Sequence, residues 1–280
     1  MSSYLADPTS IGMRRFIPFA KSPKRVSVLR LSGAIAAGGR FGSETLSDQR
    51  LAPLIERAFS KGKPCAVALS INSPGGSPVQ SSLIAARIRR LAAEKDVPVY
   101  AFVEDVAASG GYWLACAADE IFVDPSSIVG SIGVISSSFG FSEWMERQGI
   151  ERRVHTAGKD KSMLDPFRPE RAEDVERLKA LQKQIHQSFM DHVVERRGKR
   201  LSDDRDLFTG EIWVGQSALD IGLADGIGHL VPKMQEIFGK KVQFSVHGPR
   251  KSLWRRFGAE VVSSTVGAVE DRALWAQYGL

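Results

Sequence analysis

From residue 26 onward the chain alternates short β-rich runs with amphipathic ones, and this alternation limits the available folds more than any composition figure does. Val26-Ser-Val-Leu-Arg-Leu31 predicts a strand. Residues 44–59 carry Leu46, Leu51, Leu54, Ile55 and Ala58 at helical spacing, and Cys65-Ala-Val-Ala-Leu-Ser-Ile71 reads as a buried strand. After an interruption at Pro74-Gly-Gly, the pattern predicts an amphipathic helix over 78–93, a strand over 97–103, a short helix over 109–117 and a strand over 120–123. Strands and helices in this order, with short connections, call for crossover helices covering a mostly parallel sheet. Ligands of such sheets gather at the carboxyl ends of the strands.

Downstream, Gly130-Ser-Ile-Gly-Val-Ile135 is an apolar run punctuated by glycine, and 142–148 reads as a short helix. A strand is expected to lead into His155, followed by a polar loop from Thr156 to Pro169 that contains two prolines and no Val, Ile or Trp. A long charged helix over 171–197 follows, then a helical turn over 218–223 and a turn signal at Ala224-Asp-Gly-Ile-Gly. No internal repeat is present. The organisation expected is a basic, flexible arm over 1–25, one α/β domain over 26–238 and a helical C-terminal extension over 239–280, the last drawn from Trp254, Arg255, Arg256, Phe257, Trp275 and Tyr278.

The net charge of +6 invites a nucleic-acid reading, but its distribution removes that. Residues 1–40 carry Arg14, Arg15, Lys21, Lys24, Arg25, Arg30 and Arg40 against Asp7 alone, which accounts for the whole excess. The body is neutral, so no nucleic-acid partner is expected. Beside Phe16, Ile17 and Phe19 the basic arm fits peripheral contact with an anionic membrane. Hydrophobic residues at 43% and charged ones at 25% exclude a disordered or coiled-coil chain. Cys65 and Cys116 make no disulfide framework, and the five histidines are scattered, so neither a metal nor a cofactor is expected. No run reaches the 18 or so apolar residues of a membrane helix, and no signal-peptide core opens the chain. The expectation is a cytoplasmic protein, with a peripheral position at the inner face of the plasma membrane as its variant.

Two strand-to-helix junctions carry the chemistry. In Ile71-Asn-Ser-Pro-Gly-Gly-Ser77 paired glycines leave backbone N–H groups open to an anion or oxyanion at a helix start, although a tight turn needs the same residues. In Asp105-Val-Ala-Ala-Ser-Gly-Gly-Tyr112 a serine begins a helix whose dipole favours its alkoxide, and Gly110 offers an unshielded N–H; an N-cap serine has the same appearance. Ala107 replaces the first glycine of the Gly-x-Ser-x-Gly elbow. A nucleophile at Ser109 needs a base. His155, His186, His192, His229 and His247 all lie outside segments with another catalytic signal, whereas Gly158-Lys-Asp-Lys-Ser-Met-Leu-Asp-Pro-Phe167 places Lys159 and Lys161 in the polar loop. A lysine base works only when neutral.

Taken together, Ser73-Pro-Gly-Gly, Ala108-Ser-Gly-Gly-Tyr, Val129-Gly-Ser-Ile-Gly-Val134, Gly158-x-x-Lys161 with Pro166-Phe-Arg, and the closing Ala218–Gly228 stretch resemble the SppA-type signal peptide peptidases. These are serine proteases of the Clp/crotonase fold superfamily, and the resemblance covers about 26–238. It implies an α/β fold built as a repeated β-β-α spiral, with Ser109 as nucleophile, Lys161 as general base, the Gly76 and Gly110 amides as oxyanion hole and Ser131 supporting the lysine. It further implies peptide or unfolded-protein substrates and a homo-oligomer in which neighbouring subunits supply serine and lysine. The membrane anchor usual in the family is missing ahead of residue 26, which makes signal peptides within a bilayer a less secure substrate. A crotonase-like acyl-CoA enzyme and a non-catalytic membrane-associated scaffold of the same fold are the alternatives.

Overall fold

The computed structural model describes residues 23–38, 45–158, 160–248 and 274–280. Its central strands are apolar on both faces, as strands sandwiched between helical layers must be. On β1 (Arg25–Ser32), Val26 and Val28 face one layer while Leu29 and Leu31 face the other; β2 (Ala66–Ser73) does the same with Ala66 and Ala68 against Val67, Leu69 and Ile71. The first set joins Phe102, Phe122 and Met234 in a small core, and the second joins the main core with Leu51, Ile55, Ile84 and Ile88. α1 (Asp48–Ser60) and α2 (Pro78–Lys95) contribute those last residues by turning one face inward. Pro78 opens α2 behind Ser77, whose hydroxyl accepts from Gln80 N, and Asp96 closes it in the left-handed conformation.

Among the described residues the sheet contains eight strands, with the path β6 (Ile212–Val214), β5 (Ile128–Gly130), β3 (Val99–Ala108), β2, β1, β8 (Gln243–His247) and a branch in which β4 (Glu120–Val123) pairs with β3 and with β7 (Gly226–Ile227). All pairs are parallel except β5 with β6. The branch arises on β3 (Val99–Ala108), which is long enough to serve two neighbours. Tyr100–Val103 pairs with β4 (Glu120–Val123), and Val106–Ala108 pairs with β5 (Ile128–Gly130). The β2–β3 register shifts between Ile71 and Ser73. A register shift re-aims the strand beyond it. That end of β3 runs directly into α3 (Gly110–Ala115).

The chain then leaves the sheet through α4 (Ser142–Arg147) and returns along α5 (Ala172–Arg197), followed by a 3-10 turn over Gly198–Arg200. β6 (Ile212–Val214), α6 (Gln216–Asp220), β7 (Gly226–Ile227) and α7 (Leu230–Phe238) complete the body. β8 (Gln243–His247) then pairs with β1. The architecture expected from sequence, a mostly parallel sheet flanked by helices in the Clp/crotonase manner, is the one observed. The glycine-punctuated run at 130–135, for which no element was expected, pairs only at its start, since β5 ends at Gly130 and Ser131 takes φ +51. Two local expectations are corrected. No strand forms before His155, since residues 151–156 pair with nothing and are largely exposed. The C-terminal extension is not helical over 243–247, because an unpaired edge of β1 takes up that segment as a strand. The arm over 1–22, Lys159 and residues 249–273 lie outside the described residues.

Candidate active site

Both glycine-bearing junctions arrive at one place. Ser109 follows the last residue of β3 and precedes α3 with φ +51 and ψ −122. A non-glycine residue held there costs about 1–3 kcal/mol, so its surroundings must impose it. Ser109 N donates to Gly130 O at 2.8 Å, and Trp113 N donates to Ser109 O at 3.0 Å. The Oγ itself has no hydrogen-bond partner among the described residues, and the side chain is half-buried.

The Gly75-Gly76 turn packs against it. Ile35 N donates to Gly75 O at 2.8 Å and Ser77 N to Ile35 O at 2.7 Å, pinning the turn from both sides. Gly75 has φ +101 and Gly76 φ +137, and a methyl at Gly75 would stand 2.8 Å from both Ser109 Cβ and Gly110 N. A methyl at Gly76 would overlap Ile35 O, and one at Gly110 would overlap Ser81 Oγ and come 3.4 Å from Gly76 N. Only glycine permits this approach, which brings the Gly76 and Gly110 amides beside the serine. As the first residue of a helix, Gly110 has an N–H with no intrahelical acceptor. The pocket at this point is narrow, about 10 Å³, and is walled by Pro78, Trp113, Val134, Ile185 and Phe189. That is roughly the room one water needs.

Ser131 lies one residue beyond the carbonyl that receives Ser109 N, and its own N–H donates to Glu211 O at 2.7 Å. Lys161 is elsewhere. Its loop is tied to the amino-terminal part of α5, by Asp160 to Arg177 at 2.8 Å and by Leu164 N to Asp174 Oδ2 at 3.3 Å. Ile185 and Phe189, which touch the serine pocket, lie at least eight residues further on, or about 12 Å along a helix rising 1.5 Å per residue. Lys161 is exposed, and its ammonium group has no ion pair among the described residues. One chain therefore brings serine and amides together, while Lys161 is not among the residues that line their pocket.

None of the histidines replaces it. His155 is exposed in irregular backbone; His186 Nε2 sits 3.1 Å from Ile132 O and His192 Nε2 3.2 Å from Trp113 O. His229 pairs with Asp124 at 2.8 Å beside a cavity of about 490 Å³, the far side of which is formed by Glu104 and Asp105, and His247 is buried against Ser245. Burial pushes the Cys116 thiol up to about 12, which removes it as a nucleophile. Sequence reasoning missed the pocket wall. Ile185, Phe189, Val193 and Arg197 recur at helical spacing on an otherwise charged α5, the one signal that could have exposed it.

Near the Lys161 loop, Ile135, Phe139, Phe141, Trp144 and Phe167 remain exposed, Ile135 at 85% and Phe139 at 81%. Phe141 stacks on Phe167 at 5.6 Å, and the Arg152 guanidinium covers that ring at 4.8 Å. The carboxyl of Asp165 is held below its ordinary value by the Phe167 N–H, with Arg152 adding to the effect.

Relatives share this stretch of chain. A Brucella melitensis protein named Na(+)/H(+) antiporter NhaA is 48% identical over 286 residues, covering 96% of this chain but 39% of that protein. No helix among the described residues here is long and apolar enough to cross a membrane. The Arabidopsis thaliana protein named serine protease SPPA, chloroplastic, is 31% identical over 73% of this chain and 29% of its own length. Haemophilus influenzae protease 4 is 30% identical over 74% of this chain and 33% of its own. The chain thus spans well under half the length of each of these three. The sequence profile of peptidase family S49 matches residues 92–237, a stretch that runs from α2 through the Ser109 junction and the Lys161 loop into α7. With more than half of its length matched, and with the serine junction inside that match, the chain belongs to peptidase family S49.

Proposed function

We propose that this chain is a serine endopeptidase that hydrolyses unfolded polypeptides or short peptides, with Ser109 as nucleophile and Lys161 as general base. The observation that carries the reading is the placement of Ser109, strained, with an unbonded Oγ, beside two amides that only glycines allow to come so close. Neutral Lys161 Nζ takes the hydroxyl proton, and Oγ attacks the scissile carbonyl carbon. The Gly76 and Gly110 N–H groups bond the resulting oxyanion, and the lysine returns the proton to the leaving amine. Water then releases the acyl group by the same path in reverse order. Ser131, beside the strand end that fixes Ser109, orients the lysine.

Because Lys161 stands apart from Ser109 within one chain, the lysine comes from a neighbouring copy in a homo-oligomer. The exposed aromatic cluster around Phe139 and Phe167 supports this, since contiguous apolar surface of this kind marks an association face. An acyl-CoA reading finds less support, as no carboxylate lines the serine pocket. The test is labelling by a fluorophosphonate probe. Wild-type protein is expected to be labelled at Ser109 and to cleave casein, and Ser109→Ala to do neither; labelling that survives in Ser109→Ala would remove the assignment.

A further inference from the structure

The short helix that starts at Ser109 is held at its other end by charged side chains. In a six-residue helix most carbonyls lack an intrahelical partner. Here Arg196 Nε donates to Cys116 O at 2.9 Å and Arg196 Nη2 to Ala118 O at 2.9 Å. His192 Nε2 lies 3.2 Å from Trp113 O, a contact that requires the proton on that nitrogen. Trp113 stacks with Phe189 at 4.8 Å and with His192 at 5.2 Å, both rings within 20° of parallel. Phe189, His192 and Arg196 follow one another at spacings of three and four on α5, so a single helical stripe grips the Trp113 ring, a carbonyl of α3 and two carbonyls of the turn that closes it.

We infer that Arg196 is a positioning residue for the nucleophile, acting through α3. The argument runs from strain. Ser109 is held at φ +51 by bonds at its own end, and nothing in its type favours that conformation. It stays only if α3 cannot shift or unwind, and Cys116 is seven residues away, roughly 10 Å along the helix direction. Cys116 and Ala118 are buried, so removing Arg196 leaves two carbonyls without partners, and α3 relieves them by moving toward other donors. That motion is transmitted to Ser109, where a displacement of about 1 Å can cost up to a hundredfold in rate. Asp119 fixes the arginine in turn, at 3.3 Å, while also receiving Arg89 at 2.8 Å.

This inference rests on Ser109 being the nucleophile, and the experiment separates the two. Fluorophosphonate labelling rates and peptide kinetics are measured for wild type, Arg196→Met, Arg196→Lys and Phe122→Leu, with thermal melting of each. Phe122 lies in the small core under α7, away from α3, and supplies a destabilised control. Arg196→Met is expected to lower kcat and the labelling rate about tenfold together, with KM within about twofold. Arg196→Lys keeps the charge but cannot bond both carbonyls in one plane, and is expected to recover part of both rates; it also serves as the readout should the methionine variant fail to fold. Unchanged rates in folded Arg196 variants, or an equal loss in Phe122→Leu, would overturn the inference alone. A wild-type protein that takes no label at Ser109 would overturn the nucleophile assignment and this inference with it.

Discussion

Mixing two inactive variants gives the sharpest test of a site shared between copies. Ser109→Ala removes the nucleophile and Lys161→Ala the base; since both act at one chemical step, each alone is expected to lose at least about 10³-fold in kcat. Within one chain the Lys161 loop is tied to α5 at Asp174 and Arg177, while the serine pocket meets that helix at Ile185 and Phe189. On the proposed shared site the offset of about 12 Å along the axis is closed by a neighbour, since the loop moves along α5 only by releasing both ties. In an assembly with one repeated head-to-tail interface, a complete site forms where a Lys161→Ala chain presents its serine to a Ser109→Ala chain presenting its lysine. Each condition is met half the time in an equal mixture, so about a quarter of wild-type activity returns. The assay is peptide hydrolysis after the two variants are dissociated, mixed and reassembled, with native mass spectrometry confirming mixed assemblies. Zero recovery in verified mixed assemblies refutes the shared site, and it would equally refute the argument from α5.

Four further outcomes follow from the same geometry. Gly76→Ala is expected to lower hydrolysis about 10²–10³-fold by displacing an oxyanion donor, and to lower the melting temperature, because the new methyl meets Ile35 O at φ +137. Arg197→Met is expected to cost about 3 kcal/mol in a denaturant titration, since the buried guanidinium bonds Gly222 O and both oxygens of Asp225; without it Gly222 O loses its partner and Asp225 keeps only Ile121 N and the more exposed Arg200. Activity is expected to climb from neutral toward alkaline pH, as a lysine base requires; a single limb near pH 6.5 in the rate profile would point to histidine instead. Burial holds His192 below its ordinary value against the opposing Trp113 carbonyl, and burial near Lys61 and Arg57 does the same to His247. The unfolded chain therefore binds more protons, and stability present above pH 6.5 is lost as pH falls from there through the lowered folded values. Melting curves recorded between pH 7.5 and 5 should show this decline, less steeply in His192→Gln.

The parts of the fold that were legible in sequence are those in which neighbours in the chain are also neighbours in space. β1, β2 and β3 announce themselves because strands buried on both faces must be continuously apolar, and α2 because Ser77 and Pro78 mark its start. β8 did not announce itself. Its five residues lie on an edge, partly exposed, and become a strand only because β1, more than two hundred residues earlier, offers an unpaired edge in register from Arg25 to Leu29. β5 was not legible for a related reason: it ends at Gly130, where Ser131 takes φ +51 and donates its N–H to Glu211 O, eighty residues away. At the site, the junctions that carry Ser109, Gly76 and Gly110 could be read locally as candidates, because paired glycines at a strand end leave backbone N–H groups open, although each junction alone also fits a turn or a cap. Their meeting could not, because it depends on a third segment, in which Ile35 pins the Gly75-Gly76 turn by two hydrogen bonds and brings its side chain up to Gly110.

The division of α5 extends that distinction between local and distant information. Its second half buries Phe189, Val193 and Arg197 and fastens α3, whereas most of its first half, including Leu181, stays exposed and holds the Lys161 loop by its end. A 26-residue helix is about 39 Å long, and here only part of that length is buried. On the proposed shared site the exposed half is the part of α5 left for a second copy to cover, and Lys161 is the base it would present to a second serine. Substitutions at Leu181 or Phe139 should then act like substitutions at the site itself, weakening assembly and hydrolysis together while leaving α3 and its arginine contacts in place.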